Sequence, residues 1–354
     1  MARSGVIYGP SGSWKTGMVK QFSHYIAETT GKATHLFSAD GGGWGPCEPE
    51  VQAGMIKPYR CESAVLPLSI IRKVSQGYWP INSEETDPEK INLTRMNWEE
   101  IGGIAVEGWS SLSNMLMRYS ADKGLKFGDK DYTGLFSVPI TVDGQVLSEK
   151  FGPSTQNHFG FVQNQLYALT TQFLSLPVRY VLFTALESKA EDDDRSTIYG
   201  PSIAGKKATA ACPAWVGDCI HAQDYAIKRP ITVPNPEGGS PIETVLVDTT
   251  VRMYFRKHPD PATGIMFPAK PRIPPEKIKE FSKVYPYGYF EPTVEHGFDS
   301  YLHLCDKLSK DQSQSEDLTG WREKMDRKLG RLPSGDKGVS RISIDNTTKE
   351  AVTK

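Results

Sequence analysis

Val6-Ile7-Tyr8-Gly9-Pro10-Ser11-Gly12-Ser13-Trp14-Lys15-Thr16 decides the reading of the fold, because a short apolar β-type run passes through a Gly/Ser-rich turn directly into a helical pattern. Met18, Phe22, Tyr25 and Ile26 recur at i, i+4, i+7 and i+8, which gives one apolar helix face, and Gly31 is placed to end it. Ala33 to Ala39 then reads as a second strand, stopped by Asp40-Gly41-Gly42-Gly43. A βαβ unit is complete by residue 40, and it predicts a parallel sheet.

The turn from Gly9 to Thr16 lies where a phosphate-binding loop belongs, since backbone N–H groups at a helix N-terminus form a nest for anionic oxygens. It follows G-x-x-x-x-G-K-[ST], except that Trp14 takes the place of the second glycine. Gly9, Pro10, Ser11, Gly12, Ser13, Trp14, Lys15 and Thr16 are therefore the candidate nucleotide-binding residues. Lys15 would reach the β and γ phosphates and the Thr16 hydroxyl would sit on magnesium, while the Trp14 side chain must swing clear, with consequences for hydrolysis or nucleotide geometry.

Further along, Ile101 to Val106 reads as a buried strand ending at Glu107, the place of a second acid that holds magnesium. Asp40 ends the second strand and is placed to orient or deprotonate an attacking water. Thr184 and Glu187 end a fourth strand, Tyr180 to Ala185, and are candidate sensors of the γ-phosphate. Residues 44–100, with six prolines and one helix near Leu68 to Gln76, read as an elaborated crossover. Residues 122–157 read as an insertion with a hairpin turning at Asp143-Gly144. A helix with Val162, Leu166, Leu169 and Phe173 on one face follows. Glu187 to Thr209, including Asp192-Asp193-Asp194, reads as a mobile polar loop. Two segments near Cys219 to Lys228 and Thr244 to Arg256 are expected to pair antiparallel. The expected organisation is an ATPase-type core over 1–300, then a C-terminal helix and flexible polar tail over 301–354.

Composition narrows the class: 38% hydrophobic and 23% charged residues in a chain of 354 exclude a rod, a collagen or wholesale disorder. The 41 Lys+Arg balance 42 Asp+Glu, so any nucleic-acid contact must use a local patch. Residues 251–283 supply the one marked basic excess, with Arg252, Arg256, Lys257, Lys270, Arg272, Lys277, Lys279 and Lys283 against three acids. Five cysteines without a C-x-x-C pair read as reduced thiols, with no structural zinc. The absence of a secretory signal or an 18-residue apolar run sets the expectation of a cytoplasmic protein that makes no membrane contact.

Together, Gly9 to Thr16, Ser38-Ala39-Asp40-Gly41-Gly42-Gly43, Glu107-Gly108-Trp109-Ser110-Ser111-Leu112 and Gly200-Pro201-Ser202-Ile203-Ala204-Gly205-Lys206 resemble phage-encoded RecA-like nucleotide-binding proteins, including single-strand annealing recombinases. The resemblance spans about residues 4–275 and implies a RecA-like α/β P-loop core with a mainly parallel sheet, flanking helices and an antiparallel C-terminal edge. It implies ATP and Mg2+ as cofactors, Asp40 at the position of the family's base, and Lys206 and Lys207 in the segment from which a neighbouring subunit's basic residues reach nucleotide. It also implies self-association into a ring or filament and single-stranded DNA as partner; the polar tail reads as a linker or a partner-binding arm, with a single-strand binding protein as the candidate partner. Trp44, Tyr78, Trp79 and Trp109 are the aromatic candidates for base stacking. Three functions remain open on these residues: DNA-linked ATP hydrolysis in phage recombination or replication, a hexameric helicase or translocase, and a non-hydrolysing nucleotide-binding module.

Overall fold

The computed structural model describes residues 2–40, 44–61, 68–81, 90–122, 136–142, 145–151, 156–191, 196–233, 242–293 and 296–309. In chain order the elements are β1 Arg3–Gly9, α1 Lys15–Thr30, β2 Ala33–Ser38, α2 Glu48–Gln52, β3 Ile56–Arg60, α3 Leu68–Ser75, β4 Tyr78–Pro80 and β5 Leu93–Arg95. Next come β6 Ile101–Glu107, α4 Trp109–Asp122, β7 Phe136–Val142, β8 Gln145–Phe151, α5 Gln156–Ser175, β9 Tyr180–Glu191, β10 Thr197–Pro201 and α6 Lys206–Trp215. The last are β11 Asp218–Val233, β12 Ile242–Tyr254, β13 His258–Pro259, β14 Met266–Phe267, α7 Ile278–Val284, β15 Tyr289–Phe290 and α8 Phe298–Ser309.

The central sheet runs β3-β2-β6-β9-β1-β11 with every pairing parallel, and β12 and β15 continue it antiparallel at the C-terminal side. The mainly parallel sheet with helices on both faces and an antiparallel edge agrees with the fold expected from sequence. All seven residues of β6 are buried, as befits a parallel strand covered on both faces. Val181 on β9 joins the apolar cluster built with α3, α4, α5 and α6, whereas its neighbour Tyr180 meets Phe22 of α1. Since successive strand side chains point to opposite faces, α1 and its partner α8 cover the other side.

Burial corrects the reading of the aromatic candidates. Trp109 stacks on Phe183 with ring centroids 4.5 Å apart and is 1% exposed, and Trp79 is buried against His35 and Tyr59, so neither ring is free to stack on a base. Trp44 and Tyr78 are half-buried and already carry Arg60 and Lys73 over their faces. Residues 187–209 are not one loop: β9 runs on to Glu191 and folds back as β10, pairing Glu187 with Pro201 and Glu191 with Thr197, and α6 starts at Lys206. The acidic run Asp192 to Asp194, the Asp143-Gly144 turn and the tail beyond residue 309 lie outside the described residues. The crossover at 44–100 also contains β3, a parallel edge strand missed in the sequence because Pro58 interrupts it, although an edge tolerates proline.

All five cysteines are buried, and none is in a disulfide. Among the described residues no helix is long and apolar enough to cross a membrane. One compact unit spans Met1–Lys310.

Candidate functional site

β1, β2 and β6 contribute to the site at their C-terminal ends, and β9 contributes where its parallel pairing with β1 and β6 ends, as expected of a parallel α/β sheet. β1 delivers the loop from Gly9 to Thr16, β2 delivers Ser38 and Asp40, β6 delivers Glu107, and β9 delivers Thr184 and Glu187. Gly9 is dictated by β11, because a Cβ there would stand 2.2 Å from the Ala222 carbonyl oxygen. Gly108 is dictated likewise: its φ is +76°, and a Cβ would lie 2.9 Å from the Asp40 backbone nitrogen. The ends of β2, β6 and β9 are laced together, with Ala39 N–H donating to the Glu107 carbonyl at 2.9 Å and Gly108 N–H to Thr184 Oγ1 at 3.1 Å.

Helix α1 begins without a side-chain cap and without an acid in its first turn, so no side chain satisfies the free N–H groups at its start. An N-terminus in that condition suits an anion, and the positive φ of Gly12 (82°) and Trp14 (58°) shapes the turn leading into it. For tryptophan the left-handed conformation costs about 1–3 kcal/mol. Lys15 Nζ donates back to the carbonyl oxygens of Gly9, at 3.1 Å, and Pro10, and to Ser13 Oγ at 3.2 Å. Burial lowers the Lys15 pKa from the ordinary lysine value, while Glu187, Asp40, Asp224 and Glu107 pull it the other way.

The Thr16 hydroxyl donates to Glu107 Oε1, joining residues 91 positions apart, and Ser38 Oγ reaches Glu107 Oε2 at 3.5 Å. Glu107 is 4% exposed. Burial pushes its pKa up to about 7; the Asp40 charge adds to the rise, and the Thr16 and Ser38 hydroxyls and Lys15 oppose it. Asp40 is exposed at the rim. Thr16, Asp40 and Glu107 line a cleft of about 630 Å³ with Lys15, Thr184 and the N-terminus of α4 at Ser110 and Ser111, a volume in the range of small-molecule sites.

The structure brings Ser11 to Thr16, Asp40, Glu107 and Thr184 together at this cleft. Glu187 is not among the lining residues; its Oε2 is 2.9 Å from His221 Nε2, and His221 Nδ1 in turn lies 3.0 Å from His258 Nε2. Burial lowers the pKa of His221, opposed by its Glu187 hydrogen bond, and pushes His258 down to about 4. This chain escaped the sequence reading, because its members lie 34 and 37 residues apart on separate strands with no local pattern to link them. Lys206 and Lys207 do not line the cleft of their own chain; both are exposed at the start of α6, and Lys206 pairs with Glu191 at 2.6 Å. In the basic segment Arg252 is held by Glu291 at 2.8 Å and Lys277 by Glu280, while Lys257, Lys270, Arg272, Lys279 and Lys283 are exposed.

Thr16 and Glu107 fit a magnesium ion bound together with phosphate oxygens, since magnesium is commonly held by one or two carboxylates plus substrate phosphates. No group of three or more His, Cys, Asp or Glu side chains suited to a metal occurs among the described residues, so an all-protein cage is not what these residues offer.

No protein-family model and no curated protein sequence matches the chain. Among solved structures it is similar to the KaiC-like protein PH0186 from the hyperthermophilic archaeon Pyrococcus horikoshii OT3, with a TM-score of 0.33 and 10% identity over 75% of this chain and 89% of that one. A likeness that loose assigns no family.

Proposed function

We propose that the cleft binds a nucleoside triphosphate with Mg2+ and that the chain is a P-loop ATPase. The observation that carries this reading is the convergence of Lys15, Thr16 and Glu107 at the uncapped start of α1, with Thr16 bonded to the acid that ends a different strand. In this reading the N–H groups of residues 11–16 and the Lys15 ammonium hold the phosphates, and Thr16 and Glu107 hold the ion. Bound magnesium supplies positive charge against the transferring phosphoryl oxygens. Asp40 at the rim is the carboxylate available to position water, and Glu187, held by His221 outside the lining, is left to respond to the terminal phosphate through its attraction for Lys15.

The wider role we propose is ATP hydrolysis linked to single-stranded DNA in phage recombination or replication, by annealing or strand exchange in a self-associated ring or filament. Its support is the sequence resemblance and the exposed cations of residues 257–283, which suit phosphate contacts without base specificity. Trp14 favours a second reading, in which nucleotide binds and gates an assembly without turnover, because a bulky residue replaces glycine beside the phosphates.

Calorimetric titration with MgATP and a hydrolysis assay with and without single-stranded DNA test these proposals. Lys15→Ala is expected to weaken MgATP binding about 10- to 100-fold, the loss of a charge-assisted contact, and to abolish hydrolysis. Equal affinity in wild type and variant would remove Lys15 from the phosphate site and sink the nucleotide reading. Tight binding with no turnover in either condition would select the gating module.

A further inference from the structure

Trp14 is the one residue other than glycine with a positive φ among the described residues, and it is 45% exposed. The usual reasons for keeping a tryptophan are missing here. It is not packed in the core, unlike Trp79 and Trp109, and its side chain makes no capping hydrogen bond to α1. The fold holds a bulky side chain in a conformation suited to glycine and leaves much of its ring open to solvent. A retained outlier of this kind calls for a function.

Its position suggests one. Trp14 Cε3 would stand 3.8 Å from a Cβ built on Gly17, so the indole lies beside the first turn of α1, where Gly17 offers no side chain to displace it. It is the only aromatic ring among the described residues lining the cleft. In the lining Ser11, Ser13, Lys15 and Lys20 offer polar and cationic groups that suit phosphate and ribose, while Pro46, Ala185 and Leu186 offer aliphatic surface but no aromatic face. A nucleoside triphosphate held by its phosphates at the loop needs such a face for its base.

We propose that the Trp14 indole is the stacking surface for the nucleobase, and that it converts a phosphate-binding loop into a site selective for nucleoside triphosphates over bare polyphosphate. The proposal rests on the nucleotide-binding reading above and adds to it which residue recognises the base. Stacking depends on the ring face, so it tolerates different bases and is kept by other aromatic side chains.

The test compares the full chain with its Trp14→Gly and Trp14→Phe variants, titrated calorimetrically with MgATP and with magnesium tripolyphosphate, which has the phosphates and no base. Glycine accepts the left-handed turn without strain, so Trp14→Gly keeps the loop and deletes only the ring. In that variant MgATP affinity is expected to fall about tenfold, with tripolyphosphate binding unchanged or tighter, while Trp14→Phe retains most of the ATP affinity. Wild-type tryptophan fluorescence is expected to change with ATP and not with tripolyphosphate, and that change should vanish in Trp14→Phe. The proposal is overturned if the two ligands change by the same factor in Trp14→Gly, which would leave the nucleotide reading intact. Wild-type protein that binds tripolyphosphate as tightly as ATP overturns the proposal too. If wild type binds neither ligand, both this proposal and the nucleotide reading fall.

Discussion

Asp218→Ala is expected to cost the fold about 3–5 kcal/mol, measured by urea unfolding at neutral pH. The Asp218 side chain is fully buried and gathers four donors from four parts of the chain. Arg3 Nε reaches it at 3.2 Å, Tyr180 OH at 2.8 Å, Tyr301 OH at 3.0 Å and the Arg272 backbone N–H at 2.6 Å. These donors tie the N-terminal ends of β1 and β9 to α8 and to the strand-like segment at Lys270. Removing the carboxylate leaves Arg3, whose Nη2 already lacks a partner, with only Asp306 at 3.2 Å to balance its charge. The cost is set by the uncompensated charge and the unpaired hydroxyls, more than by the attraction lost.

This mechanism can be separated from a general packing defect. If uncompensated charge dominates, pairing Asp218→Ala with Arg3→Met should recover a substantial part of the loss, because both charges then leave the interior together. Asp218→Asn, which keeps the volume and one acceptor, should cost less than alanine. Strictly additive single and double variants would show that the ion pair is not what matters. The cluster sits at the opposite strand ends from Gly9, Glu107 and Thr184, so nucleotide affinity of the folded variants should match wild type.

The parts of this fold that were legible in the sequence are those fixed by local pattern. The β1 run, the Gly/Ser turn and the period of Met18, Phe22, Tyr25 and Ile26 dictate a strand, a loop and a helix packed on a sheet, and the structure buries each of those four side chains. Glu107 was equally legible as the acid that closes a continuous apolar strand. What escaped was decided by tertiary context. β3 carries a proline that only an edge strand accepts, and β10, Thr-Ile-Tyr-Gly-Pro, carries a glycine and a proline that read as turn residues in sequence. Trp79 and Trp109 looked available because composition reports an aromatic ring and not which face of an element it occupies. The Glu187–His221–His258 chain and the Asp218 cluster need residues far apart in sequence to meet, and no spacing rule announces them.

Glu107→Gln should make the protein more stable at pH 8 while removing the Mg2+-dependent hydrolysis proposed for the cleft. In the folded chain the Glu107 pKa is raised to about 7, from an ordinary value of 4.5, chiefly by burial. A carboxyl shifted upward contributes fully to stability below pH 4.5, and that contribution is lost as pH rises through about 7, where the folded state must ionise a buried group. The loss amounts to about 3 kcal/mol above the folded pKa. Glutamine keeps the size and an acceptor for the Thr16 hydroxyl, and it never ionises. Unfolding measured from pH 4 to pH 8 should therefore show the two proteins alike at the acid end and the variant ahead by about 3 kcal/mol at the alkaline end. A constant difference across that range would mean that packing, not ionisation, sets the effect. Saturating MgATP should narrow the gap in wild type, since a cation beside the carboxylate removes the cost of its charge, and should do so far less in the variant. The strain stored at Glu107 would then be the same feature that prepares it to receive the ion: a carboxylate kept dry and poorly compensated until a positive charge arrives.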